Sequence, residues 1–492
     1  MPGEWMERAT GLAWRSEHLV DGRLRPSDSA DEIAIVSPRD GARVAGVGAA
    51  TDVDVDRAVA AARAAVVDER WSGLTPSRRG EVLIRLAELV EAHADDLAVR
   101  VSVEMGKPVR EARDVEVTAV ARCLRWYGQL ADKLTDENPV TSADALALVT
   151  REPAGVVGAV VPWNFPLTMT AWKLGPALVS GNSVVLKPAE QTSFSALDLG
   201  ALALEAGLPD GVLNVLPGRG AEAGAAIGRH PDVDVVAFTG SVAVGRRFLG
   251  YAAESNGKRV WPELGGKSGS VVLPDADVVR AARTTAWGCF YNQGQMCSAS
   301  SRLIVHREVA DEAVAAAVQV AAEMHPADPL DWDAPTGALV GEAHLQTVLG
   351  FVRRALDEGA SLAAGRADRW DSPGGSYLAP VVLTDVKPDM EIAQHEVFGP
   401  VLSVLVVDSI EEAVTVANGT QYGLAAALWT NDLSGAHRLA RRLRAGTVWV
   451  NCFEEGGMAM PFGGVGASGF GRDKSAHAIE KYTDLKSTWI AL

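Results

Sequence analysis

Three side chains of this sequence can together perform thiol chemistry on a carbonyl group. Cys297 lies in Tyr291-Asn292-Gln293-Gly294-Gln295-Met296-Cys297-Ser298, and Glu263 opens Glu263-Leu264-Gly265-Gly266-Lys267, 34 positions earlier. A thiol among small and amide residues, with a carboxylate available to it, is the equipment of covalent thioester chemistry. A cysteine by itself reads as a small buried hydrophobe. The Asn, Gln and Gly around this one instead mark a loop or a helix start. The third side chain is Asn164, in Pro162-Trp163-Asn164-Phe165-Pro166. Buried between prolines and aromatics, its amide needs hydrogen-bond partners, and its NH2 group can donate to an oxyanion. Taken alone, that pentapeptide reads more simply as an Asn bonding its own turn backbone.

A second group points to a phosphate-bearing ligand. In Val235-Val236-Ala237-Phe238-Thr239-Gly240-Ser241-Val242-Ala243-Val244-Gly245 a strand feeds a glycine turn, and Ser241 can cap the helix that follows. The N–H groups at such a helix start suit a pyrophosphate. The spacing Gly240 to Gly245 lacks the Gly-x-Gly-x-x-Gly pattern, so a structural turn fits it equally well. Asn182-Ser183-Val184-Val185-Leu186-Lys187-Pro188-Ala189-Glu190 is another strand ending in polar residues. Ligands of open parallel sheets lie beyond the carboxyl ends of strands, so Lys187 and Glu190 are expected to face a ribose there. The carboxylate would repel a 2′-phosphate, which favours NAD, with NADP as the alternative.

These residues must be placed by an α/β framework. From Val53 to about Leu130 the pattern is helical. Between Gly155 and Val244 strands are expected at 156–161, 183–187, 212–216 and 233–238, alternating with helices at 167–180, 193–206 and 221–229. A second alternation from about Lys267 to Val450 has expected strands at 271–273, 302–305, 402–407 and 447–450. Such alternation means βαβ units and mostly parallel sheets. The tail from Lys481 to Ile490 alternates and ends apolar. A lone edge strand of that kind is a liability, so pairing with another subunit is expected.

At 492 residues the chain exceeds one hydrophobic core, and 48% hydrophobic with 22% charged residues describes a globular protein. The net charge of −17 disfavours nucleic acid and anionic membranes as partners. No stretch from Met1 to Val20 resembles a signal peptide, and the apolar runs are strand length, so a cytoplasmic location is expected. The four cysteines, 123, 289, 297 and 452, show no Cys-x-x-Cys pair, no metal site is suggested, and Cys297 should be free.

Taken together, PWNFP (162–166), KPAE (187–190), FTGSVAVG (238–245), ELGGK (263–267), NQGQMC (292–297), HEVFGP (395–400) and PFGG (461–464) resemble the aldehyde dehydrogenase superfamily in order and separation. Arg125-Trp126-Tyr127, Trp172 to Leu178, Lys258 to Trp261 and Gly471 to Trp489 are most similar to its γ-glutamyl-γ-aminobutyraldehyde dehydrogenase branch. The resemblance implies Cys297 as nucleophile, Asn164 and the Cys297 N–H as oxyanion donors, and Glu263 as general base. It implies Lys187 and Glu190 at the adenosine ribose, Gly240, Ser241 and Gly245 at the pyrophosphate, and Glu396 and Phe398 at the nicotinamide riboside. Pro162 and Trp163 join the cofactor wall, while Lys173 and Asp473 form a proton relay. Phe165, Trp172 and Tyr291 would line a substrate tunnel, with Glu454 and Glu455 adding negative charge at its mouth and favouring an aminoaldehyde. Broad aliphatic, aromatic or betaine-type aldehydes, a coenzyme-A acceptor and a catalytically silent member are the alternatives.

The implied fold is a Rossmann-like NAD-binding domain of residues 1–131 and 152–265, an α/β catalytic domain of 266–465, and a small β oligomerisation extension of 132–151 and 478–492, joining a homodimer or homotetramer. Two departures from the family pattern are Gly269-Ser270 after the ELGGKS stretch and Val465-Gly466 after PFGG.

Overall fold

Strands that are apolar on both faces need helices on both sides of their sheet. The computed structural model, which describes residues 2–372 and 374–492, contains two such sheets of seven strands each. Met1 and Pro373, which fall in the expected segments 1–131 and 266–465, lie outside the described residues.

The first sheet runs in the order Arg259–Leu264, Val235–Gly240, Val156–Val160, Ser183–Lys187, Leu213–Val215, His18–Val20, Arg23–Arg25. Its first five strands are parallel, and His18–Val20 runs antiparallel to both of its neighbours, Leu213–Val215 and Arg23–Arg25. The chain builds outward from Val156–Val160 in one direction, then returns to lay the next two strands on the other side. Order therefore reverses between Val156–Val160 and Val235–Gly240. Loops leaving the carboxyl ends of two such strands diverge and open a crevice. Here those loops carry Pro162 to Phe165 and the Gly240-Ser241 turn.

The second sheet runs Ser361–Ala364, Val381–Thr384, Val401–Val407, Arg302–His306, Gly269–Val272, Ala425–Trp429, Thr447–Val450, parallel except for the first. Gly269 and Ser270, one of the two departures from the family pattern, begin a buried strand of this sheet. The expected helical region contains Asp52–Val67, closed by a Thr51–Asp54 capping box, then Pro76–Ala92, Ala94–Met105 and Thr118–Leu130. The helix Pro166–Val179 starts directly after the Pro162–Phe165 loop and is buried along almost all of its length.

One expectation is corrected. The C-terminal strand Thr483–Ala491 is not a lone strand. It pairs antiparallel with Ala145–Pro153 of the same chain, from Thr483 opposite Pro153 to Ala491 opposite Ala145. Leu485, Trp489 and Ile490 remain exposed on this ribbon. Among the described residues no helix is long and apolar enough to cross a membrane.

Candidate active site

Cys297, Glu263 and Asn164 meet at one cavity of about 240 Å³, together with Pro162, Trp163, Phe165, Gly240, Ser241, Glu396 and Phe398. The first sheet supplies Asn164, Gly240 and Glu263 from the ends of adjacent strands. The segment leading into strand Arg302–His306 of the second sheet supplies Cys297. The site is thus a seam between the two sheets, and neither could form it alone.

The loop that carries Cys297 is strained and pinned. Asn292, Gln293 and Gly294 all have left-handed backbone, with φ of 51°, 57° and 70°. For a non-glycine residue that conformation costs about 1 kcal/mol or more. The Asn292 side-chain amide donates to the carbonyls of Asn164 (3.1 Å) and Gln295 (3.0 Å), and the Gln295 Oε1 accepts from the Val340 N–H (2.9 Å). A Cβ on Gly294 would come within 2.1 Å of the Gly399 carbonyl carbon. The glycine pair after Glu263 has a similar purpose. A Cβ on Gly265 would strike Glu396 Oε2 at 1.8 Å, and one on Gly266 would strike the Cys297 carbonyl oxygen at 2.6 Å.

The Asn164 Nδ2 donates to the Gln295 carbonyl at 3.0 Å. An amide NH2 carries two hydrogens, so the second is available to the cavity. Behind it lies an ion pair that the sequence did not reveal. Lys107 and Glu116 are fully buried and bonded to each other. Lys107 Nζ also donates to the Asn164 carbonyl (3.1 Å) and sits 3.8 Å from the centre of the Phe165 ring. The other oxygen of Glu116 accepts from the N–H groups of Leu167 (3.0 Å) and Thr168 (3.3 Å), at the start of the helix Pro166–Val179. A π-helical turn, Ala112–Val117, brings Glu116 inward; such turns recur at functional sites.

Glu263 is buried, and neither carboxyl oxygen has a hydrogen-bond partner. Burial, and then the nearby charge of Asp473, hold it well above the usual carboxylate range, while Lys173, Lys481 and Arg472 oppose the shift. Asp473 accepts from Lys173 on one oxygen and Lys481 on the other, all three side chains being buried. Burial also pushes the half-buried Cys297 thiol up, reinforced by Glu263, Glu396 and Glu454.

The crevice fits a dinucleotide on observations of its own. Ser241 caps the helix Val242–Glu254, its Oγ accepting from Val244 N–H at 3.4 Å, so that the helix start faces the cavity. Thr239 lines the same wall with a buried Oγ1 that has no partner. Beyond Trp163 the space continues into a cleft of about 730 Å³ that Trp163, Glu190 and Arg219 line. Glu190 Oε1 is fixed by the Gly220 N–H at 2.7 Å. Glu396 Oε1 accepts from Gly266 N–H at 3.1 Å, and burial raises its pKa to about 7. Two expected contacts differ. Lys187 lines neither space and donates to the Pro188 carbonyl at 2.9 Å, with burial lowering its pKa to about 8. Gly245 packs under Leu264 rather than lining the cavity, since a Cβ there would meet Leu264 Cδ2 at 2.6 Å.

Residues 24–488 match the model of the aldehyde dehydrogenase family. The chain is 47% identical over 489 residues to the aminoacetaldehyde dehydrogenase of Pseudomonas aeruginosa, covering 99% of this chain and 98% of that one. It is similar to a solved indole-3-acetaldehyde dehydrogenase complexed with NAD+ (TM-score 0.99, 47% identity) and to the γ-glutamyl-γ-aminobutyraldehyde dehydrogenase of Burkholderia cenocepacia (TM-score 0.98, 48% identity). In both, the match covers 100% of this chain and 99% of the other. The chain belongs to the aldehyde dehydrogenase family.

On the opposite side of this aldehyde dehydrogenase cavity, Phe165 stacks on Tyr291 (6.5 Å between ring centres) and Trp172 packs against Phe462 (5.5 Å). One face of Trp172 already carries Lys474 Nζ at 5.8 Å, as one face of Phe165 carries Lys107. Glu455 is exposed, and its backbone carbonyl accepts from Trp449 Nε1 at 2.8 Å. The carboxylate that reaches the nucleophile loop belongs to its neighbour Glu454, which accepts from the Ser298 hydroxyl. His344 was not singled out in the sequence either. Its Nε2 bonds the Phe398 carbonyl at 2.7 Å and its ring stands edge-on to Trp163 at 5.5 Å, where the two spaces meet.

The Lys107–Glu116 pair yields a stability prediction. Lys107→Met strands a buried carboxylate, which costs roughly 3–5 kcal/mol and lowers the thermal unfolding midpoint. Removing both charges, in Lys107→Met with Glu116→Gln, recovers most of that loss. A double variant as unstable as the sum of the single ones would show that the two groups do not act as a pair.

Proposed function

We propose that this enzyme oxidises an aminoaldehyde to its carboxylic acid with NAD, through a thioester on Cys297 that a Glu263-activated water hydrolyses. The observation that carries the reading is the convergence of Cys297, Asn164 and Glu263 on one cavity whose far wall is the Gly240-Ser241 turn. When bound, a nicotinamide dinucleotide supplies the two-electron oxidant. Gly240, Ser241 and the helix start would hold its pyrophosphate, and Glu190, with Lys187 behind it, its adenosine ribose. Glu396 and Phe398 would hold its nicotinamide riboside, and Pro162 and Trp163 would flank it. The Glu190 carboxylate supports NAD over NADP.

The Cys297 sulfur adds to the aldehyde carbon, and the charge that develops on oxygen faces Asn164 Nδ2 and the Cys297 N–H. One such donor contributes about 10²–10³ in rate. The thiolate is the nucleophile, and burial and the carboxylates around the thiol oppose its ionisation, so the sulfur gives up its proton to solvent as positive charge enters the cavity. Once the adduct has been oxidised to a thioester, Glu263 removes a proton from water as its oxygen attacks the acyl carbon. The thiolate leaves, the acid departs, and the proton on Glu263 exits toward the Asp473–Lys173 pair. A general base of this type contributes ~10²–10⁴-fold. Glu263 also supports hydrolysis over transfer to coenzyme A.

The aminoaldehyde assignment draws on relatives that act on amine-bearing aldehydes and on Glu454 beside the nucleophile loop. Two of the three aromatic rings already hold a lysine on one face. The attraction for an incoming ammonium therefore rests more on the Glu454 carboxylate than on cation–π contact. The exposed Leu485, Trp489 and Ile490 of the two-stranded ribbon support assembly of copies through segments 132–151 and 478–492.

Three measurements test these readings. Glu263→Gln should give a stoichiometric burst of reduced nicotinamide and then stop; loss of the burst would remove Glu263 from the hydrolytic step. Catalytic efficiency on 4-aminobutyraldehyde should exceed that on hexanal, and Glu454→Gln should shrink that preference about tenfold, the scale of one charge contact of 1.4 kcal/mol. Equal efficiencies in the parent enzyme would rule out the aminoaldehyde assignment. Trp489→Asp should lower the solution mass measured by light scattering, whereas an unchanged mass would place the contact elsewhere.

A further inference from the structure

Asp473 is shared by two lysines that reach it from different parts of the chain. Lys173 comes from the helix Pro166–Val179 and bonds Oδ2, while Lys481 comes from the turn Ala476–Lys481 and bonds Oδ1. The side chains of Lys173, Asp473 and Lys481 are 1%, 0% and 4% exposed. Asp473 is brought there because Phe462 and Asp473 exchange backbone hydrogen bonds at 2.8 and 2.7 Å, folding 462–473 into a loop beneath the strand that carries Glu263.

The charge count of this group is informative. A single Lys173–Asp473 pair is neutral and does little for a neighbouring carboxyl. Two lysines on one aspartate leave one positive charge in excess, in a place where an uncompensated buried charge is costly. The remaining anion of the cluster is Glu263, whose two oxygens have no hydrogen bonds to stabilise their ionised form. With Glu263 ionised the four groups sum to zero; with Glu263 protonated they do not.

We propose that Lys481 is a positioning residue for deacylation, supplying through Asp473 the excess positive charge that keeps Glu263 ionised as the base for water. The inference rests on Glu263 being that base. Lys173, Lys481 and Arg472 all oppose the rise that burial and Asp473 impose on Glu263; burial lowers Lys481 itself, and Asp473 and Glu263 are the groups that favour its charged form. The other groups facing the cluster do not replace Lys481. Arg472 directs its Nη1 to the carbonyls of Gly464 and Gly471, both at 2.8 Å. Cys123 and Tyr482 flank Asp473, and burial holds both protonated. Tyr127 gives its hydroxyl to the Ser475 carbonyl at 3.1 Å. Lys474 lies over Trp172, and the Cys297 thiol and Glu396 face Glu263 from the cavity side.

The test measures turnover against pH for the parent, Lys481→Met, Lys481→Arg and Glu263→Gln. It uses NAD with an aldehyde and, separately, a 4-nitrophenyl ester. The ester acylates Cys297 with release of nitrophenolate, so its turnover reports thioester hydrolysis without any oxidant. In Lys481→Met the acid limb should move to higher pH in both assays, because removing a positive charge favours protonated Glu263. Turnover on that limb should fall roughly tenfold, recovering toward the parent rate at alkaline pH, with the initial nitrophenolate burst retained. Lys481→Arg should restore the parent limb, and Lys481→Gln is the second neutral variant should Lys481→Met fail to fold. An unmoved limb, or a loss equal at every pH, overturns the proposal. Sustained turnover by Glu263→Gln overturns the assignment of the base and this inference together, a different result from an unmoved limb in a series where Glu263→Gln is inactive.

Discussion

Desolvation of ionisable groups governs this molecule. The seam between the two sheets removes water from a thiol, from the Glu263 and Glu396 carboxyls and from Lys107, Lys173 and Lys481. Every one of these is less stable charged in such surroundings than in solvent unless a partner compensates it. The fold provides partners selectively. Lys107 has Glu116, and Lys173 and Lys481 share Asp473, whereas Glu263 has no hydrogen-bond donor at all. A carboxyl held in that way accepts a proton readily. That is what a base acting on water requires, and a structural ion pair would forbid it.

The same seam has to tolerate strain. Three successive left-handed residues before Gln295 are unfavourable by themselves, and they persist because amide side chains tie the turn to the Asn164 loop and to the Val340 backbone. Asn292 joins this turn to the carbonyl of Asn164, so the Cys297 loop and the proposed oxyanion donor are mechanically one unit although 128 positions separate Asn292 from Asn164. Lys107 reaches the same carbonyl from the helical region before the first sheet. Three distant parts of the chain thus meet at one backbone oxygen, and shifting any of them moves the Asn164 amide that lines the cavity.

Much of this was legible in the sequence because strand-end loops and glycine turns carry their own chemistry. Pro162 to Phe165, the Gly240-Ser241 turn and the Cys297 segment fall where alternating strands and helices imply. The central strands are legible because Val156–Val160 is a continuous apolar run and 184–186 is a short one between polar ends. Ala425–Trp429 escaped notice because its alanines fit a helix as well as a strand. The buried ion pairs were invisible for another reason: Lys173 and Asp473 are 300 positions apart, and no local pattern links them. Nothing in the sequence separates Glu454 from Glu455; only the Ser298 hydrogen bond to the Glu454 carboxylate does so. The tail strand was read as unpaired because its partner, Ala145–Pro153, lies more than 300 positions earlier.

Charge also imposes an order on the chemistry. Cys297 and Glu263 disfavour one another's ionised forms, since the carboxylate raises the thiol and a thiolate would act on the carboxylate in return. A free enzyme with both groups charged is therefore its least favourable state. Acylation removes the conflict, because a thioester sulfur bears no charge. From that moment only the surroundings of Glu263 decide whether it is ionised, and the two lysines on Asp473 favour that form. In the proposed mechanism Cys297 and Glu263 can share one cavity because they need their charges at different times.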